Sequence, residues 1–124
     1  MSTYVLVVES SNKSRMSIVN LLENFGISNV VEASDAQQAI DQFKKGQFDL
    51  ILADWNLPNG QGSKIVREIR HADKSVPIIV TTTQAEPKEL QQATQAGANG
   101  YIVKPFSDDE LREALDKYMS AATR

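Results

Sequence analysis

Apolar residues gather in five short runs, at 4–8, 30–31, 49–53, 77–81 and 101–103. Four of the five are unbroken or nearly so and rich in Val and Ile, as in YVLVV and PIIVT. That pattern suits strands of a parallel sheet covered on both faces, where neither side meets water. Between the runs the period changes to three or four. Ile18, Leu21, Leu22 and Phe25 form one helical stripe, stopped by Gly26. Ser34 opens a second helix through a capping box with Gln37, and Ala36, Ala39, Ile40 and Phe43 face inward. A loop from Pro58 to Gly62 leads to a third helix, with Ile65, Val66 and Ile69 inside. Pro87 begins a fourth and Gly97 ends it. Ser107 and Glu110 form a further capping box, opening a last helix with the stripe Leu111, Ala114, Leu115 and Tyr118. Five strands alternating with five helices predict right-handed crossovers and a three-layer α/β sandwich.

Such sheets bind ligands at the carboxyl ends of their strands. Glu9 follows the first run, Asp54 the third and Lys104 the fifth, so the topology should bring all three to one place. Two carboxylates and a lysine gathered there suggest a divalent cation and a phosphoryl group. Other chemistry is excluded by composition. With no cysteine and a single histidine, His71, neither a thiol centre nor a His-rich metal site can be built. A net charge of −3 argues against general nucleic-acid binding, which leaves a basic stripe. At 124 residues the chain is one domain in length, and no run is long enough to cross a membrane. The start, MSTYVLVVES, enters a strand with no basic-then-apolar leader, so a cytoplasmic protein without membrane association is expected.

The ordered set Glu9, Asp54-Trp55-Asn56-Leu57-Pro58, Thr82 and Gly100-Tyr101-Ile102-Val103-Lys104-Pro105-Phe106 resembles the response-regulator receiver domain, in its stand-alone, CheY-like form. The resemblance spans residues 1–124 as a single domain. It implies a flavodoxin-like five-stranded parallel sheet of order 2-1-3-4-5 and a role in two-component signalling. Asp54 would be the phosphoacceptor, phosphorylated by a histidine kinase or phosphotransfer protein in a step the domain itself catalyses. Mg²⁺ would be held by Glu9, Asp54 and the backbone carbonyl of Asn56. Lys104 and the Thr82 hydroxyl would bind phosphoryl oxygens, and Thr82 with Tyr101 would form the switch. An output protein would dock on the face made by helix 4, strand 5 and helix 5. The family's Lys-Pro bond is usually cis, which the resemblance carries to Lys104-Pro105.

The chain departs from the family at two places. Ser10 stands where the second of two adjacent acids is usual, and a neutral hydroxyl is a poorer ligand for a hard cation, so weak Mg²⁺ binding is expected. Thr83 stands where Ala or Gly is preferred, and it crowds the phosphoryl pocket. Asn56 and Gln84 fall at the family's two positions that tune hydrolysis. These departures keep an alternative open: a pseudo-receiver that binds proteins with little Mg²⁺-dependent phosphorylation. A flavodoxin-like cofactor binder is disfavoured, because no Gly/Ser/Thr-rich phosphate loop follows the first strand. Three threonines in a row, Thr81 to Thr83, leave the register of the phosphoryl hydroxyl open by one place, with Thr82 favoured. His71 reads as a cation at a helix end, Trp55 as a half-exposed neighbour of the pocket, and Glu86, Lys88 and Glu89 as a solvated face.

Overall fold

In chain order the elements are β1 (Tyr4–Val8), α1 (Asn12–Asn24), β2 (Asn29–Ala33), α2 (Ala36–Lys45), β3 (Leu50–Asp54), α3 (Gln61–Ala72), β4 (Ile78–Thr82), α4 (Pro87–Ala96), β5 (Gly100–Val103) and α5 (Asp108–Thr123). They are seen in a computed structural model that describes residues 3–84 and 86–123, the side chains of 119–123 excepted. The strands form one parallel sheet in the order β2-β1-β3-β4-β5, as expected. The reversal of strand order between β1 and β3 opens a crevice at their carboxyl ends.

The unbroken apolar runs are explained by burial on both sides. Along β1, Val5 and Val7 point into one layer, against Ile18 and Leu22 of α1 and Leu111 and Leu115 of α5. Leu6 and Val8 point into the other, against Ala39 of α2, Ile65 and Ile69 of α3 and Ala93 of α4. Successive side chains alternate across a strand, so a strand covered on both faces has no polar positions to spare. Each fully buried Leu or Ile contributes roughly 1.5–3 kcal/mol of transfer free energy. This is the rigid frame that holds the strand ends in place.

Local details correct the sequence reading. The helix α2 is capped by Asp35, whose side chain accepts from the Gln38 N–H at 2.8 Å, and Ser34 bonds Gln38 rather than Gln37. The capping box is therefore displaced by one residue, because an aspartate at the next position is as good an N-cap as serine. Pro58 to Gly62 is not an open loop. Pro58–Gly60 form a single 3-10 turn and α3 already begins at Gln61. Asn59 and Gly60 both take left-handed backbone, φ 59° and 70°, to turn the chain sharply. The Ser107–Glu110 capping box forms as read, and β3 and β4 each lie one residue later than read, which carries Asp54 and Thr82 onto their strands.

Candidate functional site

Glu9 is the first residue after β1, and its N–H donates to the Ala33 carbonyl at 3.0 Å, which extends the β1–β2 ladder by one bond. Asp54 is the last residue of β3. Lys104 follows β5 and is tied down by a 2.7 Å bond from its N–H to the Thr82 carbonyl, beside a cis Lys104-Pro105 peptide. From these three anchors the side chains converge. The Lys104 ammonium lies 3.2 Å from Asp54 Oδ1 and 3.3 and 3.4 Å from Glu9 Oε2 and Oε1. Glu9 is 1% exposed and Asp54 5%. Asp54 Oδ1 also accepts the Asn56 N–H at 2.9 Å, an Asx turn that aims the carboxylate into the crevice.

One lysine thus faces two buried carboxylates. Burial, and then the negative charge of Asp54, push the Glu9 carboxyl above its ordinary value, while the Lys104 charge and the hydrogen bonds from Lys104 and Thr81 pull the other way. Surplus negative charge out of water is the condition a hard cation relieves. Among the described residues no group of three His, Cys, Asp or Glu side chains gathers. A two-carboxylate site completed by a backbone carbonyl and waters is what Mg²⁺ commonly takes, so Glu9, Asp54 and the Asn56 carbonyl fit that ion. Ser10 is exposed beside them.

Strand alternation sends the Thr81 and Thr82 side chains opposite ways, and Thr83 lies in the bend just beyond β4. The Thr81 hydroxyl donates to Glu9 Oε2 at 3.1 Å. The Thr82 hydroxyl is turned to the loop beyond β4, donating to the Gln84 carbonyl at 3.2 Å and accepting the Gln84 N–H at 3.1 Å. Thr83 holds the Asn56 side-chain carbonyl with its N–H at 2.7 Å and its hydroxyl at 3.2 Å. Two contacts therefore tie the Asp54 turn to the β4–α4 side of the crevice: Asn56 to Thr83, and Trp55 to Glu89 through the indole N–H at 3.1 Å. Glu89 is half-buried and partnered, not part of a solvated face. Tyr101 is 49% exposed, with its ring on the outside, and His71 is exposed near the end of α3.

Sequence reasoning missed two participants. Arg15 donates to the Glu9 carbonyl at 2.8 Å and to Glu32 at 3.0 Å, and also bonds Asn12. It braces β1, α1 and β2 beneath the site. Its polar position on an otherwise apolar-striped helix, one turn after the Ser11 N-cap, was the only available signal. Thr81 was read only as a competitor for the role of Thr82. Its position, opposite Asp54 in the β3–β4 register, could have shown that its side chain belongs to the same end of the sheet.

The order 2-1-3-4-5, together with an acid–lysine cluster at the carboxyl ends of β1, β3 and β5, defines a flavodoxin-like α/β domain with a charged pocket at its topological switch point. Residues 5–116 match the profile of the response regulator receiver domain. The chain belongs to that family. It is 40% identical over 115 residues to chemotaxis protein CheY-3 of Vibrio cholerae, covering 91% of this chain and 88% of that one. Chemotaxis protein CheY of Pseudomonas aeruginosa is 36% identical, covering 91% and 93%. Among solved structures, Vibrio cholerae CheY4 superposes with a TM-score of 0.89 at 31% identity, covering 95% of this chain and 99% of that one. The receiver domain of a Pseudomonas aeruginosa sensor histidine kinase, solved with magnesium coordinated in its active-site cleft, superposes with a TM-score of 0.87 at 31% identity, covering 97% and 99%. The chain is a response regulator receiver of two-component signalling, and no helix among the described residues is long and apolar enough to cross a membrane.

Proposed function

We propose that Asp54 is the phosphoacceptor of a signalling switch that works through Glu9, Lys104, Thr82 and Tyr101. The observation that carries this reading is the Lys104 ammonium between two buried carboxylates at 3.2–3.4 Å. An Asp54 carboxylate oxygen attacks the phosphorus of a phosphohistidine on a histidine kinase or phosphotransfer protein. The P–O bond forms as the P–N bond breaks, and the leaving imidazole keeps its electron pair and takes a proton. Lys104 then exchanges part of its contact with Asp54 for a phosphoryl oxygen. When bound by Glu9, Asp54 and the Asn56 carbonyl, Mg²⁺ supplies the charge neutralisation that an anionic nucleophile needs at an anionic phosphoryl group. Because Ser10 offers only a neutral oxygen, that affinity is weak for the family.

The Thr82 hydroxyl leaves Gln84 for another phosphoryl oxygen. Its departure frees the β4–α4 loop and lets the exposed Tyr101 ring turn inward. The surface of α4, β5 and α5 changes with it, and an output protein reads the difference there. The test is intact-mass spectrometry after incubation with phosphoramidate and Mg²⁺. One added phosphoryl group is expected on the native chain and none on Asp54→Ala. A native chain that stays unmodified at high Mg²⁺ would favour a pseudo-receiver, a protein-binding module of the same fold.

A further inference from the structure

Thr81 is buried, polar and assigned no part in the reaction above. It lies on β4 opposite Asp54 of β3, and its hydroxyl reaches past β3 to a carboxylate that follows β1, at 3.1 Å. Adjacent strands lie about 4.8 Å apart, so this contact bridges backbones roughly 10 Å apart. The extra methylene that Glu has over Asp helps to close that gap. Nothing about packing asks for a hydroxyl here. The residues before it on β4, Ile79 and Val80, are apolar, and valine would fill the same β-branched volume in a buried strand. A buried hydroxyl has to be paired, and the partner it finds is Glu9 Oε2.

We infer that Thr81 is a positioning residue for the acidic pocket: its hydroxyl fixes the Glu9 carboxylate in the crevice, so that the one acid left beside Ser10 stays aimed at the cation. The inference rests on the pocket reading given above. Among the described residues Glu9 has two side-chain donors, Lys104 and Thr81. Lys104 is shared with Asp54 and is drawn to the phosphoryl group during the reaction. Thr81 is then the donor that stays. Without it, the carboxylate is oriented by Lys104 alone, and its direction follows the lysine.

The test is Mg²⁺ binding without any phosphodonor, followed by Trp55 fluorescence in the native chain, Thr81→Val and Thr81→Ser. Thr81→Val keeps the shape, and it keeps the main-chain bond by which the Thr81 carbonyl accepts the Trp55 N–H. Losing partners that orient metal ligands costs roughly 10–100-fold in affinity. Thr81→Val should therefore bind Mg²⁺ at least about tenfold more weakly, and Thr81→Ser should return to within about twofold of the native value. Thermal melts check that each variant folds, and Thr81→Ala replaces Thr81→Val if that variant does not. A native affinity in the hydroxyl-free variant, with the native chain saturating normally, would overturn the inference and leave the pocket reading standing. A native chain that shows no Mg²⁺ response overturns both.

Discussion

Replacing Lys104 by Met removes a charge while keeping most of the apolar stem, and the structure says what that charge is worth. The ion pairs of Glu9 and Asp54 among the described residues are all with Lys104. Removing one partner of a buried ion pair costs about 3–5 kcal/mol, because an unpaired charge stays behind. Here two carboxylates stay behind, but the Lys104 side chain is 18% exposed and water can follow it in. The lower end, about 3 kcal/mol, is therefore expected. With a urea slope of about 1.5 kcal/mol/M, the unfolding midpoint should fall by about 2 M in Mg²⁺-free buffer. The loss should depend on pH. Glu9 already titrates above its ordinary value of 4.5, and without Lys104 it titrates higher still. A raised folded-state value makes stability greatest below the unfolded value and erodes it as pH rises through the folded one. The deficit of Lys104→Met is thus largest at neutral pH and shrinks as the solution is acidified and Glu9 takes up its proton. A loss below about 0.5 kcal/mol at neutral pH would mean that Lys104 does not neutralise buried charge. So would an equal loss in a Glu9→Gln, Asp54→Asn background, where there is no buried charge left to neutralise.

Gly62→Ala should damage the Asp54 turn from outside the pocket, since an added Cβ would meet the Asp54 and Trp55 carbonyls at 2.7 and 2.6 Å. Backbone cannot step aside cheaply, so a loss of about 1–3 kcal/mol by urea unfolding, with slower phosphorylation, is expected; native stability would contradict it. Ser10→Asp restores the second acid and should tighten Mg²⁺ by about tenfold or more in a fluorescence titration, whereas an unchanged affinity would mean that Glu9 already meets the need. Asp73 is held below its ordinary 3.8, chiefly by the Ser75 N–H, with burial opposing and the Ser75 hydroxyl, the Val76 N–H and Arg70 assisting. Its stabilising contribution is therefore present above 3.8 and lost as pH falls through the lower folded value. Asp73→Asn should be less stable than the native chain at neutral pH, with the two converging in acid; a pH-independent gap would exclude this.

The fold was legible because its strands are buried on both sides. YVLVV, LILAD and IIVTT carry no alternation that could suggest another sheet, and the intervening helical stripes fix the α/β alternation. The pocket trio was legible for the same reason, since topology alone brings strand ends together. What was not legible is where each hydroxyl or amide points. Three adjacent threonines differ in sequence by nothing but position, yet β4 and the bend after it send one to Glu9, one to Gln84 and one to Asn56. The partnership of Trp55 with Glu89 was hidden likewise, because an acid in the first turn of a helix looks solvated until the neighbouring loop is in place. The α2 cap was misread by one residue because Ser34 and Asp35 are both competent caps, and only backbone geometry chooses between them.

Phosphorylation of Asp54, as proposed, should be felt by the loops tied to it. Trp55 adjoins Asp54 and bonds Glu89 and the Thr81 carbonyl, so it reports on both sides of the crevice. The most direct measurement is its fluorescence on adding Mg²⁺ and then acetyl phosphate, in the native chain and in Asp54→Ala. A saturable Mg²⁺ response, followed by quenching that depends on the phosphodonor and is absent from Asp54→Ala, is the predicted result. A flat trace in the native chain, or quenching that survives in Asp54→Ala, would contradict it.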